Sequence, residues 1–148
     1  MKYFTKKEFE KSETAERLKI DNSIPDELMP GVEEFVEVIL DPLREAWGGP
    51  IRVTSMYRCP ALNKAVKGSP TSAHCYALAA DLQPADPDRS QEEFNSFARS
   101  FLYYRPYDQI IDEHSGKSEW CHIGYKNRNG EQRKQKLIYK NGKYTIWN

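Results

Sequence analysis

Cysteine is scarce in this chain, and the three it has, Cys59, Cys75 and Cys121, are an odd number with no CxxC spacing. That excludes a disulfide framework and a cysteine-type zinc finger, and leaves small buried apolar residues as the plain reading of the thiols. A surplus of either charge is also missing, because 22 basic and 22 acidic residues cancel. Nothing in that balance draws the chain to nucleic acid or to an anionic membrane. No stretch is apolar enough to span a bilayer. The start, Met1 to Lys7, is charged and amphipathic and lacks the apolar core of a signal peptide. Synthesis in the cytoplasm is therefore the expectation, with the route of any release left open. There is no internal repeat, low-complexity tract or long linker. One domain over residues 1–148, acting as a monomer, is the corresponding expectation.

Enough remains for a folded core: 39% of residues are hydrophobic, which argues against disorder. Thr5 and Glu8 have capping-box spacing, and Ser12 is placed to cap a second short helix through Leu18. Asp21 to Pro30 is turn-rich. Pro30 opens a helix whose apolar face is Val32, Phe35, Val36, Ile39, Leu40 and Leu43. Pro42 lies inside that pattern and predicts a kink or local break. Gly48-Gly49-Pro50 ends the helix. Ile51 to Ser55 alternates as a strand, Pro60 to Val66 reads as a short helix, and Leu78 to Leu82 as a strand. Ser90 and Glu93 form another capping box, ahead of a helix with Phe94, Phe97, Ala98, Phe101 and Leu102 on one face. Beyond Pro106 the chain reads as strands at Gln109 to Asp112, Glu119 to Tyr125 and Gln135 to Tyr139, with Asn141-Gly142 as a hairpin turn before Tyr144. Helices followed by antiparallel strands predict an α+β fold, N-terminal helices packed on a small antiparallel sheet.

Two segments carry chemistry: Ser72-Ala73-His74-Cys75-Tyr76-Ala77-Leu78-Ala79-Ala80-Asp81 and Glu119-Trp120-Cys121-His122. Together they offer two imidazoles and a carboxylate. Three protein donors with a fourth position open to water is the composition of a catalytic zinc site. Spacing alone leaves the plainer alternative standing, in which each histidine is a satisfied structural residue.

A resemblance sharpens the choice. Val53-Thr54-Ser55-Met56-Tyr57-Arg58 resembles the V-T-S-G-Y-R segment of the zinc D-Ala-D-Ala carboxypeptidases and related phage endolysins, and Pro60 to Asn63 and Gly68 continue it. Ser72, His74, Ala79 and Asp81 match the spacing of that family's first metal motif, and Trp120-x-His122 its second. Upstream, Phe4 to Glu8, Ser12 to Ala15, Asn22 and Pro42-Leu43-Arg44 are similar to the cell-wall subgroup. The resemblance runs from about Phe4 to Leu137 and implies a fold of the Hedgehog/D-Ala-D-Ala peptidase type.

By that resemblance His74, Asp81 and His122 are the zinc ligands, Arg58 binds substrate or transition-state oxygens, and Ser72 orients substrate. Glu119 holds the place of the general base. If Glu119 and His122 share a strand, their odd separation points them to opposite faces unless a bulge or the strand's start intervenes. Glu113 and His114 are the fallback bases. The plainer readings are a solvated carboxylate for Glu119, a surface ion pair for Arg58 and a turn cap for Ser72. Met56 and Ala77 stand where the family has glycine. If that second glycine has φ > 0, Ala77 carries strain. Cys75 and Cys121 are expected to face the core and to leave the metal alone.

The implied activity is hydrolysis of a peptidoglycan peptide bond next to a D-amino acid, as carboxypeptidase or endopeptidase. A phage or prophage lysis enzyme suits a chain read without a signal peptide or wall-binding module. The competing class is a non-catalytic zinc-containing binding module of the same fold, as in Hedgehog signalling domains.

Overall fold

The computed structural model describes residues 1–148. Two short helices come first, α1 (Lys6–Glu10) and α2 (Glu13–Leu18). Thr5 and Glu8 form the expected reciprocal capping box, and the Ser12 hydroxyl accepts from Ala15 N–H at 3.1 Å. A 3₁₀ turn (Asp26–Leu28) leads into α3 (Met29–Phe35), with Pro30 in its first turn.

Pro42 acts one turn ahead of itself. It has no N–H, and its ring crowds the carbonyl four residues back, which is Val38. The helix widens there into a π turn (Val36–Leu40), with Asp41 N–H reaching Val36 O. The chain then resumes as α4 (Asp41–Trp47) with Pro42 in the first turn, where a missing N–H costs nothing. Gly48 ends it at φ 75°. Phe35, Val36, Ile39, Leu40 and Leu43 are all buried, so one apolar face survives the break.

The remaining elements are β1 (Ile51–Ser55), α5 (Pro60–Ala65), a 3₁₀ turn (Ala73–Tyr76), β2 (Ala79–Pro84), α6 (Gln91–Phe101), β3 (Gln109–Ser115), β4 (Ser118–Gly124), β5 (Gln135–Lys140) and β6 (Lys143–Ile146). The six strands form one sheet in the order β1-β2-β4-β3-β5-β6. The fold is α+β as the sequence implies. The sheet is not wholly antiparallel, however: β5 runs parallel to β3. It also gains strand residues that the composition hid, since β3 continues past Asp112 to Ser115.

The two faces of the sheet differ. Ala80, Leu82, Ile110, Cys121 and Ile123 are fully buried in the core shared with Phe94, Ala98 and the long helical segment. Ladder partners point to the same face and neighbours alternate, so Asp81, His122 and Ile111, which pair across β2, β4 and β3, lie together on the other face. That face carries the site. No helix is long and apolar enough to cross a membrane.

Candidate metal centre

Asp81 and His122 come from adjacent strands and face each other in register. His74 comes from the 3₁₀ turn just before β2, which the Ser72 side chain caps by accepting from His74 N–H at 3.2 Å. The turn closes at Ala77, whose backbone is left-handed (φ 59°, ψ 31°) and whose side chain is fully buried. Alanine is thus strained where glycine would be free, by on the order of 1 kcal/mol, with its buried methyl as partial compensation.

β1 carries a bulge between Val53 and Ser55, against Leu82 and Asp81 of β2. Just beyond β1, the Met56 carbonyl lies 2.7 Å from His74 Nδ1. A carbonyl only accepts, so Nδ1 is the protonated nitrogen and Nε2 presents its lone pair. Met56 serves through its backbone oxygen while its side chain sits in the core, which explains why methionine is tolerated in place of glycine. Such an outer contact is how a metal-binding imidazole is usually aimed.

The donor atoms converge. Asp81 Oδ1 is 3.3 Å from His74 Nε2 and 3.1 Å from His122 Nδ1, and one donor atom from each residue lies within 4.8 Å of the others. Burial alone would push Asp81 up, but the hydrogen bonds and charges of His74 and His122 outweigh it and hold the carboxyl well below its usual range. Burial pushes His74 down. Burial also works against charge on His122, yet the Asp81 carboxylate, helped by Glu113, leaves it raised. A buried carboxylate between two imidazoles, one fixed in its tautomer, fits a divalent cation with nitrogen and oxygen preferences such as zinc.

The thiols stand apart from this set. Cys121 is buried on the core face, and Cys75 is half-buried on the 3₁₀ turn. Cys59 caps α5, its Sγ accepting from Leu62 N–H at 3.4 Å.

The sequence candidates for the base are sorted by strand parity. The β3–β4 ladder is unbroken from Gln109↔Gly124 to Ser115↔Ser118, so no bulge rotates Glu119 toward His122. Glu119 lies on the opposite face, half-exposed, with Oε1 3.0 Å from His114 Nδ1. His114 Nε2 is 3.1 Å from Asp112 Oδ1, and Asn95 of α6 donates to that same oxygen at 2.7 Å. This polar cluster fastens the β3–β4 hairpin to α6, on the face away from Asp81 and His122. Glu113 pairs with Trp120, two residues from His122, and so faces the site. Burial pushes its carboxyl up, against the charges of His122 and Arg58. The Trp120 indole N–H is buried without a partner at full hydrogen-bonding geometry, and Glu113 is the acceptor beside it.

Arg58 sits where its segment is tied down on both sides. Its own N–H donates to His74 O at 3.0 Å. The buried Asn22 amide donates to Tyr57 O at 2.9 Å and accepts from Cys59 N–H at 2.8 Å. The guanidinium gives Nη1 to Asn63 Oδ1 at 3.2 Å, while Nε is buried with no partner. A Cβ at Gly68 would overlap both the Asn63 oxygen and Arg58 Nη1, so any other residue here must displace those two side chains.

Arg58, His74, Asp81, Glu113, Trp120 and His122 line one groove of about 910 Å³, walled by Ser12, Thr14, Leu62 and Val66 on one side and by Tyr144 of β6 on the other. Arg133 lines it too, but its guanidinium is held by the buried Asp108 carboxylate through Nε at 2.8 Å and Nη2 at 2.8 Å. Neither Asp108 and Arg133 nor Tyr144 is conspicuous in the sequence, because each reaches the groove through strand pairings that only the sheet order reveals.

A sheet that gathers a carboxylate and two imidazoles on the floor of an open groove is the architecture of a metallopeptidase. The family model described as Peptidase M15 matches residues 2–123, and the chain belongs to that family. No curated protein matches the chain in a sequence comparison.

Proposed function

We propose that the protein is a zinc-dependent peptidase that hydrolyses a peptide bond of peptidoglycan next to a D-amino acid, with Glu113 as the general base. The observation that carries this reading is the meeting of three donor atoms within 4.8 Å at the floor of the groove, with Glu113 on the same face. His74 Nε2, Asp81 Oδ1 and His122 Nδ1 would hold the ion. When bound there, zinc supplies Lewis-acid chemistry, acidifying water and polarising a carbonyl.

The chain's own groups supply the rest. Glu113 accepts the proton of the attacking water and returns it to the leaving amine; a carboxyl with a raised pKa is suited to both transfers. Arg58, fixed through Asn63 and through its backbone N–H to His74 O, places a permanent charge beside the site for the developing oxyanion. Ser72 acts first as a cap that sets the His74 turn. Hydrolysis is direct, with water as the nucleophile. The peptidoglycan substrate rests on the motif resemblance to D-Ala-D-Ala carboxypeptidases and endolysins.

Digestion of purified peptidoglycan, with mass spectrometry of the fragments, tests the proposal. Release of peptide fragments that stops on chelation and returns with zinc is expected. Undiminished release under chelator refutes zinc dependence, and no release with zinc present refutes the substrate.

A further inference from the structure

Residues 124–148 lie outside the stretch that the family model matches, yet they add two strands to the sheet and one wall to the groove. Glu113 of β3 pairs with Tyr139 of β5, and Tyr139 pairs with Tyr144 of β6. Trp120, Glu113, Tyr139 and Tyr144 therefore form one row across the site face. The Tyr139 and Tyr144 rings pack with centroids 4.7 Å apart. Beside them, Ile146 pairs with Leu137 in the neighbouring row. This apolar strip stays open to solvent: Tyr144 is 60% exposed and Ile146 72%. From β3 to β6 is two strand spacings, about 10 Å, or about three residues of extended peptide.

We propose that Tyr139, Tyr144 and Ile146 form a shelf for the leaving part of the substrate, so that the preferred bond is an internal one followed by two or three further residues. The inference rests on the reading of Glu113 as the proton carrier. A group that hands a proton to the leaving nitrogen stands beside the departing chain, and Tyr139 and Tyr144 are the next side chains along that row. A peptidase that releases a single terminal residue needs a cation on that side to hold the free carboxylate. The row beyond Glu113 offers none. Lys136, Lys140 and Lys143 alternate to the opposite face, and Arg133 is already held by Asp108. Aromatic and aliphatic side chains at an open strip bind an uncharged peptide flank instead.

The test separates binding from turnover. Two D-alanine-containing peptides share the same segment before the scissile bond and carry one or three residues after it. Their affinities for the zinc-loaded Glu113→Gln protein are measured by calorimetry. The longer peptide is expected to bind about tenfold more tightly. Adding Tyr144→Ala should abolish that advantage, and adding Tyr144→Phe should keep it. Ile146→Ser in the same background is a second probe should Tyr144→Ala fold poorly. Equal affinity for the two peptides, or an advantage untouched by both Tyr144→Ala and Ile146→Ser, overturns the shelf. If the unsubstituted protein binds the longer peptide better yet cuts neither, the shelf stands and the peptidase reading falls.

Discussion

Replacing Glu113 with glutamine preserves the side chain's size and removes its capacity to take a proton. A general base contributes about 10²- to 10⁴-fold to turnover, equivalent to roughly 3–5 kcal/mol of barrier. The Glu113→Gln protein should therefore lose at least a hundredfold in kcat while keeping its zinc, because Glu113 is not among the three converging donors. Its stability should move the other way. Burial raises the folded pKa of Glu113 above the unfolded value, so its ionised form opposes folding at neutral pH. Removing that charge should leave the melting temperature unchanged or slightly higher at pH 7. Glu119→Gln is the paired control. Glu119 is half-exposed on the far face and bonded to His114, so its loss should cost about 0–1 kcal/mol of stability and change kcat less than about fivefold. Metal content, thermal melts and kcat on one peptide substrate decide the matter. If Glu113→Gln keeps near-full turnover while Glu119→Gln loses a hundredfold, the assignment by strand parity is wrong.

Zinc retention should weaken as pH falls. His122 holds its proton to a higher pH than a free imidazole, and the metal must displace that proton, so affinity drops as pH is lowered through the raised value. Zinc titrations between about pH 5 and 8, with proton release read from buffers of different ionisation heat, follow this directly. Asn22→Ala removes one buried acceptor and one buried donor from the Tyr57–Cys59 segment and should destabilise by about 2–4 kcal/mol in denaturant melts. Gly68→Ala should leave zinc binding intact but raise KM, since it dislodges Arg58 and Asn63 together; an unchanged KM would show that Arg58 does not contact substrate.

Local patterns in the sequence reveal most of the helices and the three residues whose donor atoms converge, for different reasons. Capping boxes at Thr5 and Ser90 act within four residues and are read directly. The π turn is foreshadowed by Pro42, but whether a proline kinks, breaks or widens a helix depends on the packing around it. His74, Asp81 and His122 are found because two short motifs bring them, and their convergence then depends on a β2–β4 pairing 41 residues apart in sequence. The proposed base is harder to read. Glu119 is adjacent in sequence but lies on the opposite face of the sheet, whereas Glu113 sits just past the last residue assigned to β3 from composition. The parallel course of β5 has no local signature at all, because strand direction is set by how the 125–134 connection crosses the sheet.

That crossing gives the β5–β6 hairpin a separate standing. The three converging donors hang from β2, β4 and the turn ahead of β2, and they bond to Met56 O and to one another rather than to β5 or β6. The hairpin joins the sheet at its far edge through β3, secured where Gln135 N–H meets Asp108 O at 2.9 Å. With Tyr139, Tyr144 and Ile146 as the proposed shelf, lengthening, trimming or exchanging the hairpin would reshape what the peptidase accepts without disturbing the three converging donors. Variation among relatives should therefore gather in this edge ribbon, where a new diet can be tried while the chemistry stays fixed.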